Sequence, residues 1–326
     1  MTPGAGTGAR VLAIDGGGSK TDVALVARDG SVLARGRGPA FLPWVVGVPR
    51  AVDAAAEAVR LALGPAAAPP YAEHVAAYVT GADLPVEEEA LRAEFAARGF
   101  GPSLTVGNDT FALLRAGARA GWGVAVVCGA GINCVGVGPA GRVARFPALG
   151  RISGDWGGGQ ELGEEALWHA VRAEDGRGAP TALLDAVRGH FGAARAEDVS
   201  RAIHLGELPR ERLHELAPRV LALARHDPAA RALAGRLAEE IALLGSAALR
   251  RLGLLDAPAE VVLGGGVLTA RDPLLMAAIE SRYAARAPRA SLVIADAPPV
   301  VGAALLGLDH LAAPPEAAAR LRAAFT

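Results

Sequence analysis

The sequence predicts an α/β protein of two similar lobes with a central cleft, and three observations carry that expectation. A strand–strand–strand–helix–strand–helix–strand–helix order runs from Val11 to about Ala120, a similar order starts again at Val124, and glycine turns follow strands at matching places. A length of 326 residues with 52% hydrophobic content allows a large core and suggests about two domains.

Taken in order, VLAID (Val11 to Asp15) is a short β-rich run, GGGSK a turn, and TDVALVA a second strand. Asp29-Gly30 is a two-residue hairpin signal leading into SVLARG, so the first three strands form an antiparallel meander with the glycines in its first hairpin. Pro49 to Leu63 reads as a helix, His74 to Val79 as a strand, Val86 to Arg98 as a helix, Ser103 to Gly107 as a strand and Asp109 to Ala120 as a helix. The second copy opens with Val124 to Cys128, a GAG turn, INCVGVG, a turn at Pro139 to Gly141 and RVARF. A helical insertion from about Gln160 to Leu255 interrupts it before EVVLGGGVL and SLVIA supply its last two strands; Val300 to Leu308 and Pro315 to Phe325 read as closing helices. The lobes are therefore expected at residues 1–118 and 119–326.

Composition excludes several classes of partner. The 33 basic and 34 acidic residues balance to a net charge of −1, which gives no broad attraction for nucleic acid or anionic lipid. The opening MTPGAGTGAR lacks the basic-then-apolar pattern of a signal peptide, and no apolar run reaches the roughly 18 residues of a membrane span, so a soluble, cytoplasmic protein is expected. Cys128 and Cys134 are too few for a four-cysteine zinc site and read as small buried strand residues. The seven histidines show no metal-ligand spacing and are expected at the surface or at caps. The single lysine (Lys20), the single glutamine (Gln160) and the two asparagines (Asn108 and Asn133) all lie in or beside glycine-rich or acidic loops. In a chain that uses arginine everywhere else, a retained ammonium suggests a position needing a compact point charge.

Three glycine turns, Gly16 to Gly18, Gly129 to Gly131 and Gly264 to Gly266, can direct backbone N–H groups at phosphate oxygens. The first is not a Walker loop, because Ser19 rather than glycine precedes Lys20, nor a Rossmann fingerprint, because a strand follows it. Phosphate would then be held by hairpin turns. Asp15, just before the first turn, is placed to hold Mg²⁺ against phosphates, or else caps the turn. In Asn108-Asp109-Thr110, Asp109 is the candidate general base for a substrate hydroxyl, with a plain helix cap as the alternative. Asp155, in RISGDWGGG, suits hydrogen bonds to polyol hydroxyls; Trp156 beside it either stacks on a sugar or fills the core.

With these residues in place, the sequence resembles the BadF/BadG/BcrA/BcrD ATPase family, and within it the N-acetylglucosamine kinase group, from about Val11 to Leu308. AIDGGGSKT resembles the phosphate-1 segment, GNDT the catalytic-aspartate loop, CGAGIN phosphate-2, SGDWGGG a substrate-side loop and VVLGGGV the adenosine motif. The resemblance implies two ribonuclease H-like lobes of the actin-like ATPase fold, use of ATP and Mg²⁺, and a sugar substrate. It implies Asp109 as base and Asp15 as the metal-side carboxylate. Nucleotide contacts would come from Gly16, Gly17, Gly18, Ser19, Lys20, Thr21, Gly129, Ala130, Gly131, Gly264, Gly265 and Gly266, and sugar contacts from Asn108, Asn133, Ser153 and Asp155. The amino-sugar kinases usually carry an asparagine after a GP-type loop, where GPAFLPW here offers Phe41, Leu42 and Trp44, and a GGWG segment where this chain reads LGRISGDWGGG; both departures fall on the sugar side.

The expected activity is phosphorylation of a sugar hydroxyl, with the 6-hydroxyl of N-acetylglucosamine or a related hexosamine leading. The assembly to test is a homodimer. Two rivals are an ATPase that activates a dehydratase or reductase through an iron–sulfur cluster, which Cys128 and Cys134 on one hairpin suit poorly, and a sugar-sensing regulator, for whose DNA-binding module a first strand at about Val11 leaves no room.

Overall fold

A computed structural model describes residues 10–325; the leader reading of the first residues falls largely outside them. The chain divides into two compact units, residues 1–122 with 295–326, and residues 123–294.

In the first unit, β1 (Arg10–Gly16), β2 (Thr21–Ala27) and β3 (Val32–Gly38) form the expected meander, followed by α1 (Pro43–Val46), α2 (Val48–Leu63), β4 (His74–Val79), α3 (Pro85–Ala97), β5 (Ser103–Asn108) and α4 (Asp109–Gly117). The sheet order is β3-β2-β1-β4-β5, antiparallel through the meander and parallel from β1 to β5. β1 is buried on both faces, which is why VLAID reads as a continuous apolar run rather than an alternating one. Leu12 and Ile14 pack into one core with the apolar sides of α2 and α3, while Val11 and Ala13 enter a second core on the opposite face.

The second unit repeats this plan. β6 (Gly123–Cys128), β7 (Ile132–Val137) and β8 (Val143–Arg145) form a second meander. A helical insertion follows: α5 (Gly158–Glu174), α6 (Leu183–Phe191), α7 (Ala196–His204), α8 (Ala217–Leu223) and α9 (Pro228–Leu252). Then come β9 (Glu260–Gly264), the one-turn α10 (Gly266–Thr269), α11 (Pro273–Arg286) and β10 (Ser291–Ile294). Its order, β8-β7-β6-β9-β10, is the first sheet's order repeated strand for strand, with the same antiparallel and parallel pairings. The topological duplication read from the sequence is therefore complete.

Two expectations need correction. The closing helices α12 (Pro299–His310) and α13 (Pro315–Ala323) do not stay with the second unit: Val300, Val301, Ala304 and Leu308 of α12 pack against Val11, Ala13 and Ala76 of the first sheet. An all-round apolar helix needs a sheet face to cover it, and the β1/β4 face would otherwise be open. His74 is also neither surface nor cap. It is buried, stacked on His310 at 4.0 Å between ring centroids, with its Nδ1 hydrogen-bonded to Ser103 Oγ. Burial first, and then the neighbouring His310, push it down to about 4, so the His74 ring packs uncharged at neutral pH. Among the described residues no helix is long and apolar enough to cross a membrane.

Candidate active site

In the first unit, the candidate side chains gather where β1, β4 and β5 end. Gly17 N donates to Lys20 O at 2.8 Å, closing the hairpin around Gly18 and Ser19. The carbonyls of Gly16 and Gly17 accept from Thr80 N (2.8 Å) and Phe41 N (3.0 Å), which ties the turn to the segments after β3 and β4. Thr21, grouped with the phosphate loop in the sequence, plays a different part: it is buried and its hydroxyl donates to Pro39 O at 2.7 Å.

Asp15, Asp22 and Arg37 lie directly across from one another on β1, β2 and β3, so their side chains share one face of the sheet. Arg37 reaches Asp22 through two bonds of 2.6 and 3.1 Å, and Lys20 Nζ lies 2.8 Å from the same carboxylate. Burial pushes Asp22 up, but the hydrogen bonds and charges of Arg37 and Lys20 outweigh it and hold the carboxyl below its ordinary range. Lys20 is thus anchored beside the turn through Asp22. Replacing it with the longer, planar arginine is expected to lower turnover about 3- to 10-fold; unchanged steady-state constants would show the lysine to be incidental.

Asp15 has no such partner of its own. Burial first, then the charges of Asp109 and Asp22, push it up to about 8, against the opposing pull of Lys20. A buried carboxylate destabilised by neighbouring carboxylates is where a dication would relieve the field. Among the described residues no group of three acidic, histidine or cysteine side chains forms a protein-only metal cage. Magnesium needs none, since one or two carboxylates with phosphate oxygens and water complete its shell, so the donor set at Asp15 fits Mg²⁺ held with a nucleotide.

Asn108 and Asp109 divide their labour. Asn108 is the N-cap of α4: its Oδ1 accepts from Thr110 N (3.0 Å) and from the Thr110 hydroxyl, and its Nδ2 donates to Asp83 Oδ1 at 2.7 Å. The capping alternative for Asp109 is thereby taken by its neighbour, and Asn108, expected on the substrate, is engaged in orienting the loop. Asp109, the first residue of α4 and half-buried, is pushed up to about 6 by burial, partly offset by the Thr110 and Asp109 backbone amides. Asp83 was missed in the sequence because it sits in an ordinary-looking TGADLP loop; its position after β4 was the available signal.

In the second unit the glycine turns build one surface. Gly129 N donates to Gly131 O (2.9 Å), while Gly159 N and Gln160 N at the start of α5 donate to Gly129 O (2.7 Å) and Ala130 O (2.9 Å). A Cβ at Gly158 would lie 2.4 Å from Ala130 O, and one at Gly265 would lie 2.5 Å from the Cys128 carbonyl, so only glycine permits these three segments to approach. The role of Gly158 was also missed in the sequence. The expectation that hairpins hold all the phosphate groups is corrected at Gly264 to Gly266: β9 runs parallel to β6, so the chain must cross over, and the turn leads into α10 instead of a returning strand.

On the SGDWGGG loop Ser153 Oγ donates to Asp155 Oδ2 at 2.5 Å and accepts from Leu149 N at 2.8 Å, so serine fixes the buried aspartate. Asn133 Oδ1 accepts from Cys134 N at 2.7 Å. Trp156 is core: it is 4% exposed, with the Arg236 guanidinium 4.1 Å from its ring centroid. Cys128 and Cys134 are buried as expected; burial pushes the Cys128 thiol up to about 12 and that of Cys134 higher still, which disfavours the thiolates an iron–sulfur cluster requires. Of the residues standing where asparagine is usual, Phe41 is fully buried and stacked on Phe95, whereas Trp44 is 62% exposed.

The sequence profile of the BadF/BadG/BcrA/BcrD ATPase family matches residues 12–307. The chain belongs to that family. Among its members and neighbours, this chain is 24% identical over 312 residues to the N-acetyl-D-glucosamine kinase of Dictyostelium discoideum, covering 91% of this chain and 97% of that one. It is 26% identical over 275 residues to the N-acetylmuramic acid/N-acetylglucosamine kinase of Clostridium acetobutylicum, covering 79% and 85%. The crystal structure of a candidate N-acetylglucosamine kinase from Chromobacterium violaceum superposes with a TM-score of 0.72 at 26% identity, covering 91% of this chain and 98% of that one. The glycine turns described above fall within the matched span, as do Asp15 and Asp109.

Proposed function

We propose that the protein is a cytoplasmic, ATP-dependent sugar kinase that transfers the γ-phosphoryl group to the 6-hydroxyl of N-acetylglucosamine or a related hexosamine. The observation carrying this reading is the division of roles at the start of α4, where Asn108 caps the helix and leaves Asp109 as the carboxylate beside Asp15. The turns at Gly16 to Gly18, Gly129 to Gly131 and Gly264 to Gly266 receive the phosphates and the nucleoside through amides other than those of Gly17 and Gly129, which close their own turns. Asn133 and Asp155, the latter held by Ser153, take sugar hydroxyls. Asp109 accepts the hydroxyl proton as the substrate oxygen attacks phosphorus; the β–γ bridging bond breaks and ADP leaves. Asp15 would hold magnesium together with the nucleotide, and the ion would supply charge neutralisation to the phosphates.

The base must be ionised to act. With Asp109 raised to about 6, turnover should fall about tenfold per pH unit well below 6 and level off above it, and a kcat–pH profile from 5 to 9 checks this. The reading itself is tested by incubating the purified protein with Mg-ATP and a panel of hexoses and amino sugars. ADP release that depends on an amino sugar is expected; binding without release for every sugar would restore the sensor alternative.

A further inference from the structure

We propose that the helical insertion carries a second binding site, a groove that takes a small planar ring bearing one anionic group, an aryl carboxylate or aryl phosphate. The site goes beyond the kinase reading and does not rest on it. The groove has a volume of about 380 Å³, room for one ring and its substituent, and shares no lining residue with the glycine turns. Positions 164, 167, 168, 171 and 172 of α5 lie on one helical stripe and form its main wall. Its apolar surface comes from Leu167 and Val171 on that stripe, Ile203 of α7 and Leu213 of the 3₁₀ segment Arg210–Leu216. The walls are pinned at both ends. Arg210 grips Glu164 through bonds of 2.9 and 2.8 Å, which joins the 3₁₀ segment to α5. Glu174, at the other end of α5, accepts from Ala196 N and Glu197 N at 3.1 Å each and so holds the start of α7. The groove is therefore formed before any ligand arrives.

Its charges select the ligand. Glu164 is satisfied from two sides, by Arg210 and by Gln160, the chain's single glutamine, whose Nε2 donates to Glu164 Oε1 at 2.8 Å. Arg177 is held by Asp175 through bonds of 2.8 and 2.6 Å. Arg172 differs: it donates to Arg177 O at 2.8 Å, forms no ion pair among the described residues, and lies 4.5 Å from the Trp168 ring centroid. Three guanidiniums thus meet two carboxylates, and the unmatched positive charge rests on the indole that lines the groove. A guanidinium stacked on a ring keeps its in-plane N–H donors for a carboxylate or phosphate. Trp168 itself is 51% exposed, a large aromatic surface that core packing does not use. A bare anion would leave the apolar wall in water, and an uncharged ring would leave Arg172 unmatched; a ring with one anionic group satisfies both.

The test titrates the full chain with phenyl phosphate and phenylacetate, using methyl phosphate as the ringless control and 2-phenylethanol as the uncharged one, by saturation-transfer NMR and tryptophan fluorescence. Both aryl anions are expected to bind with a Kd of about 0.1 to 1 mM, and each control at least about fivefold more weakly. Arg172→Gln should weaken phenyl phosphate about tenfold and 2-phenylethanol less than about twofold. Trp168→Phe should lose the fluorescence response and keep the NMR one. Equal affinity for methyl phosphate and phenyl phosphate would overturn the proposal, as would unchanged binding in Arg172→Gln or no binding of either aryl anion. A saturating, nonhydrolysable ATP analogue should leave the affinity within about threefold; full displacement would place the ring in the nucleotide site and overturn the groove. A dimer that dissociates on Trp168→Ala in sedimentation would also overturn it, assigning the groove to a second copy of the chain. Sugar turnover enters none of these readings, so the kinase reading stands or falls separately.

Discussion

Asp109→Asn is expected to lower kcat by about 10²- to 10⁴-fold while leaving nucleotide affinity within a few-fold. The amide is nearly isosteric, and the cap of α4 belongs to Asn108, so the helix should keep its start and the protein its fold. That separation distinguishes a base from a structural carboxylate: a capping residue would cost about 1 kcal/mol of stability and little chemistry. The kinetic loss is read from sugar-dependent ADP release, and the structural control is the thermal midpoint. Full activity in Asp109→Asn would remove the proposed base.

Asp15→Asn is expected to act on rate and stability in opposite directions. Turnover with Mg-ATP should drop by at least about 10²-fold, because the residue proposed to face the metal loses its charge. The nucleotide-free protein should meanwhile become more stable at neutral pH. Asp15 binds its proton more tightly folded, near pH 8, than at the ordinary value of 3.8, so the folded state carries more protons between those limits and loses stability as pH rises through them. Asparagine never ionises, and removes that loss. Thermal unfolding of both proteins from pH 4 to 9 without metal should show a decline in wild type that is shallower in Asp15→Asn, with a gap of order 1 kcal/mol or more at pH 8. Parallel curves would show that Asp15 is not held in the destabilised state described.

Much of this architecture is written locally. The Val/Ile/Leu runs of β1 and β6, the Asp29-Gly30 turn and the restart at Val124 specify both meanders, and the second sheet repeats the first strand for strand. What escaped has a physical pattern. Gly264 to Gly266 reads like the other glycine turns because glycine permits a hairpin and a strand-to-helix turn alike; only the parallel pairing of β9 with β6 distinguishes them. The return of α12 to the first sheet depends on which apolar face lacks a cover, a long-range property that no window of sequence contains. The candidate residues are legible as types, and the bonds that divide their roles are not. Asn108 and Asp109 are adjacent in the chain, and only the bonds to Thr110 and Asp83 show that the first caps while the second stays available. Ser153 and Asp155 form a pair in the same way, and Gly158 gains its purpose only against Ala130. Trp44 and Trp156 could not be ranked by sequence, because indoles serve cores and ligands equally; exposure separates them.

The most direct measurement is phosphorus NMR of the product formed from Mg-ATP and N-acetylglucosamine by the purified protein. The account predicts a sugar phosphomonoester with proton coupling to the C6 methylene, formed in equal amount to ADP and absent with Asp109→Asn. ADP accompanied by inorganic phosphate alone, or no turnover of any amino sugar, would contradict it.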